Sequence, residues 1–256
     1  MSKYFSIAHR LPRFLSAPLC GKREWSERNI PNDDPDWLEW QSAYMQFYQS
    51  TQKSGLGKMV NDSGYKIASV IDLSGRSCLE IGPGIISHMA NWQTLPAAFD
   101  LADVNQDMLD ASTKILSAQG ITTTSYLLQR VQELPFEAEK YDVIFSFYSL
   151  EHLNSLPYWL GEYRRVLKVG GCLVGAIPTE GGLAWGIGRF CTSRRYVRKK
   201  FSFDFDKITA IEHCNTAEQV LTTLERFFYV RQVHYWPFCI PLLDANLTVR
   251  FICQKE

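Results

Sequence analysis

Cys78-Leu-Glu80-Ile-Gly82-Pro-Gly84 follows the turn Leu73-Ser-Gly-Arg76 and precedes Ile85-Ile-Ser-His88. The spacing predicts a strand over Ser77–Ile81, since a short apolar run bounded by turn residues is how a buried strand reads. Two glycines two positions apart let the backbone turn sharply and approach a ligand closely. A helix predicted over Ile85–Gln93 then aims free N–H groups at that ligand. Alone, the glycine pair equally describes any tight turn between strand and helix. The chain on either side decides.

Downstream the signals alternate. Ala98–Asp103 reads as a strand, and Asn105–Gln119 as a helix capped by Asn105 and stopped by Gly120. Thr124–Val131 and Tyr141–Phe147 read as strands, Ser155–Lys168 as a helix ending at Gly170-Gly171, and Cys172–Pro178 as another strand. This alternation argues a parallel sheet with helices on both faces. Thr216–Phe228 is a capped helix. Tyr229–Trp236 and Asn246–Gln254 alternate as two final strands, so one strand runs antiparallel. The fold class expected is α/β and Rossmann-like, with a mostly parallel seven-stranded sheet containing one antiparallel strand. Upstream, residues 1–35 read as irregular. Asp36 reads as the cap of a helix running to about Gln49, striped with Trp37, Trp40, Tyr44, Phe47 and Tyr48, and a second helix covers Leu56–Ile71. The division expected is an extension with a cap helix over 1–54 and a domain over 55–256. Within that domain, a glycine-rich and then basic insertion at about 179–215 reads as a lid.

Bulk composition narrows the class. Lys plus Arg and Asp plus Glu number 27 each, so no global field draws the chain to nucleic acid. The first ten residues lack the apolar core of a signal peptide, and no run of 18 apolar residues suggests a membrane span. Seven scattered cysteines without a C-x-x-C pair fit reduced thiols, no metal site and a cytoplasmic protein.

Four segments fall on the carboxyl edges of the expected parallel strands. Asp103 ends the second strand, where a carboxylate can accept from both hydroxyls of a ribose; Asp100 competes but lies inside the strand. Leu134-Pro-Phe136 follows the third strand, and Tyr148-Ser-Leu-Glu-His152 leaves the fourth. The series E-I-G-P-G (80–84), D-V-N-Q-D-M-L (103–109), L-P-F (134–136), Y-D-V-I-F-S-F-Y-S-L-E-H-L (141–153) and R-R-V-L-K-V-G-G (164–171) resembles the class I S-adenosylmethionine-dependent methyltransferase family, in its small-molecule "methyltransferase domain 11" branch. The resemblance covers roughly residues 55–178. It implies that Glu80, Gly82 and Gly84 line the methionine part of S-adenosylmethionine, that Asp103 holds the ribose and that Met108 packs on the adenine. Val104 and Phe147 complete the cofactor-facing set. Where the family commonly has an acidic residue, Gln129-Arg130-Val131 stands here, so the adenine edge falls to the Val131 N–H and to Gln132.

The acceptor side rests on residue chemistry. A hydroxyl nucleophile is weak until it loses a proton, and histidine titrates near neutrality. His213, flanked by Glu212 and Asn215, and His152, at the exit of the fourth strand, are the candidate bases. Arg194 and Arg195 belong to a run of six cations between Arg189 and Lys200, placed to hold a phosphate- or carboxylate-bearing small molecule or to touch an anionic membrane surface. Tyr148 and Tyr48 are expected to face the acceptor. The resulting expectation is O-methylation of an anionic or glycosylated metabolite. An NAD(P)-dependent oxidoreductase would want a third Gly or Ala where Ser87 stands. A non-catalytic S-adenosylmethionine-binding regulator is the other alternative. A nucleic-acid amino methyltransferase would want a Pro-Pro-aromatic run after the fourth strand.

Overall fold

The computed structural model describes residues 3–26, 33–48, 55–128 and 133–256. Among them, seven strands form one sheet: β1 (Ser77–Ile81), β2 (Ala98–Asp103), β3 (Ser125–Leu127), β4 (Tyr141–Phe147), β5 (Leu167–Pro178), β6 (Tyr229–Trp236) and β7 (Thr248–Gln254). Their spatial order is β3-β2-β1-β4-β5-β7-β6. β1 pairs in parallel with both β2 and β4, and only β7 runs against its neighbours β5 and β6. The strand order therefore reverses between β1 and β4, and the crevice of an open α/β sheet opens there. The expected fold class is the observed one, a Rossmann-like sheet with one antiparallel strand.

Alternation along β1 divides the core. Leu79 and Ile81 face a cluster containing Leu156, Leu160 and Tyr163 of α5 (Leu156–Val166) and Val220, Leu221 and Leu224 of α9 (Ala217–Phe227). Cys78 faces the opposite cluster, with Tyr65 of α3 (Gly55–Tyr65) and Leu109 and Leu116 of α4 (Gln106–Ser117). Period-two burial with helices on both faces is what a parallel sheet requires.

A third apolar cluster lies outside these two. It joins Trp40, Ala43 and Phe47 of α2 (Pro35–Phe47) to Val197 of α7 (Ser193–Lys200) and to Phe203, Phe205 and Ile208 at α8 (Phe205–Glu212). The segment expected as a glycine-rich lid is helical, since α6 (Leu183–Cys191), α7 and α8 follow one another within it. The amino-terminal stretch expected as irregular contains α1 (Arg13–Cys20), which packs on α6 and α8. The extension and the insertion thus share one core and form one cap.

Two local readings are corrected. The α2 cap is Asp34, whose carboxylate accepts the Trp37 N–H at 3.1 Å with Pro35 opening the helix. Asp36 instead binds Lys207 at 2.9 Å. No α-helix follows Gly84, where only a 3₁₀ turn at Met89–Asn91 forms. Burial explains it: Glu80 is 1% exposed and needs a partner. His88 is drawn inward to supply one, which breaks the helical path.

Gly175 on β5 lies opposite Ser146 on β4. A Cβ there would collide with the Ser146 carbonyl oxygen and sit 2.8 Å from the Phe251 ring. Gly175→Ala is expected to cost about 1–3 kcal/mol by overpacking, read as a lowered urea midpoint.

Candidate active site

The glycine loop is shaped by its neighbours. Gly82 and Gly84 adopt φ of 72° and 53°, a region other residues avoid. A Cβ on Gly82 would lie 2.7 Å from Ser149 Cβ, and the Ser149 hydroxyl donates to the Ile81 carbonyl at 3.1 Å. The exits of β1 and β4 are therefore closed against each other. A Cβ on Gly84 would lie 3.0 Å from the Tyr48 hydroxyl. The loop amides that a helix would have left free have partners: the Ile86 N–H donates to Ser112 Oγ at 3.0 Å, and the Ile85 N–H to Tyr48 Oη at 3.4 Å.

Asp103 ends β2 facing this loop. Its Oδ2 accepts the Gly84 N–H at 3.1 Å and its Oδ1 the Asn105 N–H at 2.9 Å. Burial raises its pKa, and the neighbouring amides of Asn105, Gly84 and Val104 oppose that rise by binding the charged form. A carboxylate has about four lone-pair sites, so it retains capacity for the hydroxyls of a diol. Asp100 is engaged elsewhere, by Tyr141 Oη at 2.8 Å and Lys140 Nζ at 2.9 Å.

Glu80 lies behind the loop. His88 Nε2 is 3.0 Å from its carboxylate, while Trp92 Nε1 is 2.9 Å from His88 Nδ1. An indole nitrogen only donates, so His88 Nδ1 must accept and Nε2 must carry the hydrogen given to Glu80. His88 thereby fixes the strand end from which the loop starts.

Helix α2 roofs the crevice with three aromatics four residues apart. Trp40 Nε1 donates to Glu212 Oε1 at 2.9 Å. Tyr48 stacks on Tyr44 at 6.1 Å and reaches the glycine loop. Burial raises the Tyr44 phenol, and Glu212 and Asp103 both lie near enough to raise it further. The stripe thus spans from the β2 exit to the exits of β4 and β5.

At those exits two histidines meet. His152 and His213 pack edge to face, with centroids 4.7 Å apart. His152 Nδ1 lies 2.6 Å from the Glu212 carbonyl oxygen, which only accepts, so Nδ1 carries a hydrogen and Nε2 is left with the lone pair. His213 Nδ1 lies 2.9 Å from Glu180 Oε2. Glu180 is fully buried, and Arg23 Nη2 (2.8 Å), Arg189 Nη1 (3.4 Å) and Trp185 Nε1 (2.8 Å) also reach its carboxylate. Burial alone would raise this acid; Arg189, His213 and Arg23 together hold it well below the usual carboxylate range. An ionised partner makes His213 Nδ1 a donor, so in the neutral imidazole the lone pair is on Nε2. Glu151, immediately before His152, is 2% exposed, and its Oε2 has no hydrogen-bond partner among the described residues.

The remaining sequence candidates divide. Met108 is buried with its sulfur facing Gly84. Val104 is 67% exposed, and Phe147 packs in the core against Tyr65 and His88. Val131 and Gln132 lie outside the described residues. Tyr148 turns away from the crevice: its hydroxyl donates to the Val60 and Asn61 carbonyls at 3.0 and 3.1 Å and so ties down α3. Arg194 is held by Asp206 in a bidentate pair at 2.8 Å, and Arg189 is buried on Glu180, so neither is a free anion anchor. Arg195, Arg198, Lys199 and Lys200 are exposed. Sequence reasoning missed Glu180, Glu151 and Arg23. The position of Glu180, two residues past the fifth strand, was the available signal.

Residues 79–175 match the family model of a methyltransferase domain. A curated relative, a sterol 4-C-methyltransferase from Caenorhabditis elegans, is 29% identical over 107 residues, which are 41% of this chain and 32% of that protein. The match spans about a third of that relative's length. An S-adenosylmethionine-dependent methyltransferase from Mesorhizobium loti superposes with a TM-score of 0.53 at 16% identity, covering 76% of this chain and 98% of that one. The [4+2]-cyclase SpnF superposes with a TM-score of 0.57 at 14% identity, covering 90% and 99%. The chain therefore carries a methyltransferase domain, of a family whose cofactor is S-adenosylmethionine, while the fold alone also hosts a [4+2]-cyclase. Asp103→Ala is expected to weaken S-adenosylhomocysteine binding by about 1–3 kcal/mol in titration calorimetry, because the hydroxyls lose their acceptor.

Proposed function

We propose that the methyltransferase domain of residues 79–175 transfers the methyl group of S-adenosylmethionine to a hydroxyl of a small-molecule acceptor. The observation that carries this reading is the crevice at the β1–β4 reversal, with a diol-binding carboxylate on one side and two oriented imidazoles on the other. The residues present fit the cofactor. Asp103 has lone pairs for the ribose, Gly82 and Gly84 give backbone access, and Met108 walls the loop. When bound, S-adenosylmethionine supplies an electrophilic methyl group. The protein's own work is then to align the acceptor, exclude water and hold its proton. Alignment is worth about 7–11 kcal/mol in well-oriented reactions.

His213 is read as the base. Its Nδ1–H is fixed on a buried, ionised Glu180, so the ring is oriented and its Nε2 lone pair is aimed by a rigid partner. His152, 37% exposed and packed against it, relays the proton to solvent. The exposed cations Arg195, Arg198, Lys199 and Lys200 suit an acceptor whose far end carries phosphate or carboxylate. The nematode relative's name specifies a sterol carbon; two imidazoles with free Nε2 atoms favour an acidic O–H here instead. Among the described residues no helix is long and apolar enough to cross a membrane.

Methyl-tritiated cofactor incubated with small-molecule extracts should label hydroxyl-bearing compounds. His213→Ala should lower that transfer about a hundred- to ten-thousandfold while leaving S-adenosylhomocysteine affinity unchanged. Full transfer by His213→Ala would remove it as the base. Tight NAD binding without any response to S-adenosylhomocysteine would overturn the cofactor assignment. Glu180→Gln should also flatten acid unfolding. A depressed carboxylate adds stability above its unfolded pKa of about 4.3 and loses it as pH falls toward its folded value. The variant should therefore lose less stability than the wild type as pH drops below about 4.3, measured by chemical denaturation.

A further inference from the structure

Glu151 is an expense to the fold. A carboxyl at 2% exposure, with an oxygen that accepts no hydrogen bond among the described residues, is a buried polar atom without a partner there. Leucine or glutamine would suit a purely structural position better. Its backbone is not free to move the side chain elsewhere. The Glu151 carbonyl accepts the Asn215 N–H at 3.1 Å, and Asn215 Nδ2 bridges the carbonyls of Leu150 and Leu153 at 3.1 and 2.8 Å. Asn215 thus pins the whole turn that leaves β4. Burial pushes the Glu151 carboxyl up to about 7, with His152 opposing the rise and Glu180 adding to it. Glu151 thus stands in the turn that leaves β4, directly before His152 and pinned to the link that precedes α9.

We propose that Glu151 is an acceptor-binding residue, whose unpartnered Oε2 receives the O–H or N–H of the nucleophilic group to be methylated. This rests on the cofactor reading above and narrows its substrate class. The reacting end of the acceptor is a hydrogen-bond donor, a hydroxyl or an amine, and not a carboxylate or phosphate. An anionic group at that end would meet Glu151 with like charge or with a clash of lone pairs. A donor there is held with a lone pair turned away from Glu151, free to face the methyl group; an amine keeps a second hydrogen for His213, whereas a hydroxyl passes its one hydrogen to the Glu151 carboxylate as the methyl group arrives.

The test uses two cofactor analogues on the full chain. S-adenosylhomocysteine has nothing where the methyl group sits, whereas sinefungin carries an amine there. In titration calorimetry at pH 8 the wild type should bind sinefungin in preference to S-adenosylhomocysteine. Glu151→Gln should reduce that preference about ten- to a hundredfold, the worth of a hydrogen bond to a charged partner, with S-adenosylhomocysteine affinity unchanged. A second arm needs no variant. In the wild type the preference should fade as pH falls below about 7, because the protonated carboxyl no longer pairs with the ammonium. The groups facing Glu151 are His152 and Tyr148 on its own loop, Glu180 after β5 and Cys214 before α9. His152→Gln should therefore leave the fade in place. An equal preference in wild type and Glu151→Gln, or a wild-type preference indifferent to pH, would overturn the assignment of Glu151 alone. Failure of both analogues to bind would overturn the cofactor reading and this one with it.

Discussion

Glu180 is the point on which the histidine side of the crevice hangs. It leaves β5 at the carboxyl edge, is wholly buried, and is met by Arg23, Trp185, Arg189 and His213. Those four come from the amino-terminal segment, α6 and the link between α8 and α9. A buried charge is costly unless every lone pair is met, so one carboxylate compels three stretches of chain to converge. Arg23 also donates to the His213 carbonyl at 2.5 Å, which closes the ring of contacts. Remove the carboxylate and two guanidiniums, one buried and one half-buried, lose their partner at once.

The other half is organised by Asp103, through amides rather than cations. Two N–H groups hold its charge in place without neutralising it, and burial keeps water from competing. The contrast between the two acids is chemical. Glu180 is surrounded by guanidiniums and is structural toward His213, whereas Asp103 keeps lone pairs open to a ligand. Helix α2 ties them together, because Trp40, Tyr44 and Tyr48 reach from Glu212 to Gly84 along a single stripe.

The sheet was legible in the sequence because period-two burial and glycine stops leave direct marks, and β1, β2 and β4 fall at their expected boundaries. Asp103 was legible for a related reason, since a strand end is a position that local pattern can locate. The cap was not. Its helices α1, α6 and α7 are short, and their apolar faces are completed only by residues far away in the chain, as Val197 is by Phe47. The helix expected after Gly84 failed because a long-range demand, the burial of Glu80, outweighed local propensity. Glu180 and Glu151 escaped notice because a carboxylate's partners cannot be read from its neighbours in sequence.

The shared core of α2, α7 and α8 has a consequence for engineering. Protein designers usually treat an insertion as a module, to be exchanged between scaffolds to transplant selectivity. Here the insertion folds only half of its own interior; Trp40 and Phe47 supply the rest from a segment some 150 residues away. A chimera that imports residues 179–215 alone would bring an unfilled apolar face and an Arg189 without its Arg23 counterpart. The cap is therefore an inherited pair of segments, and recombination within the gene must cross over three times, once after the extension and on both sides of the insertion, to move it intact.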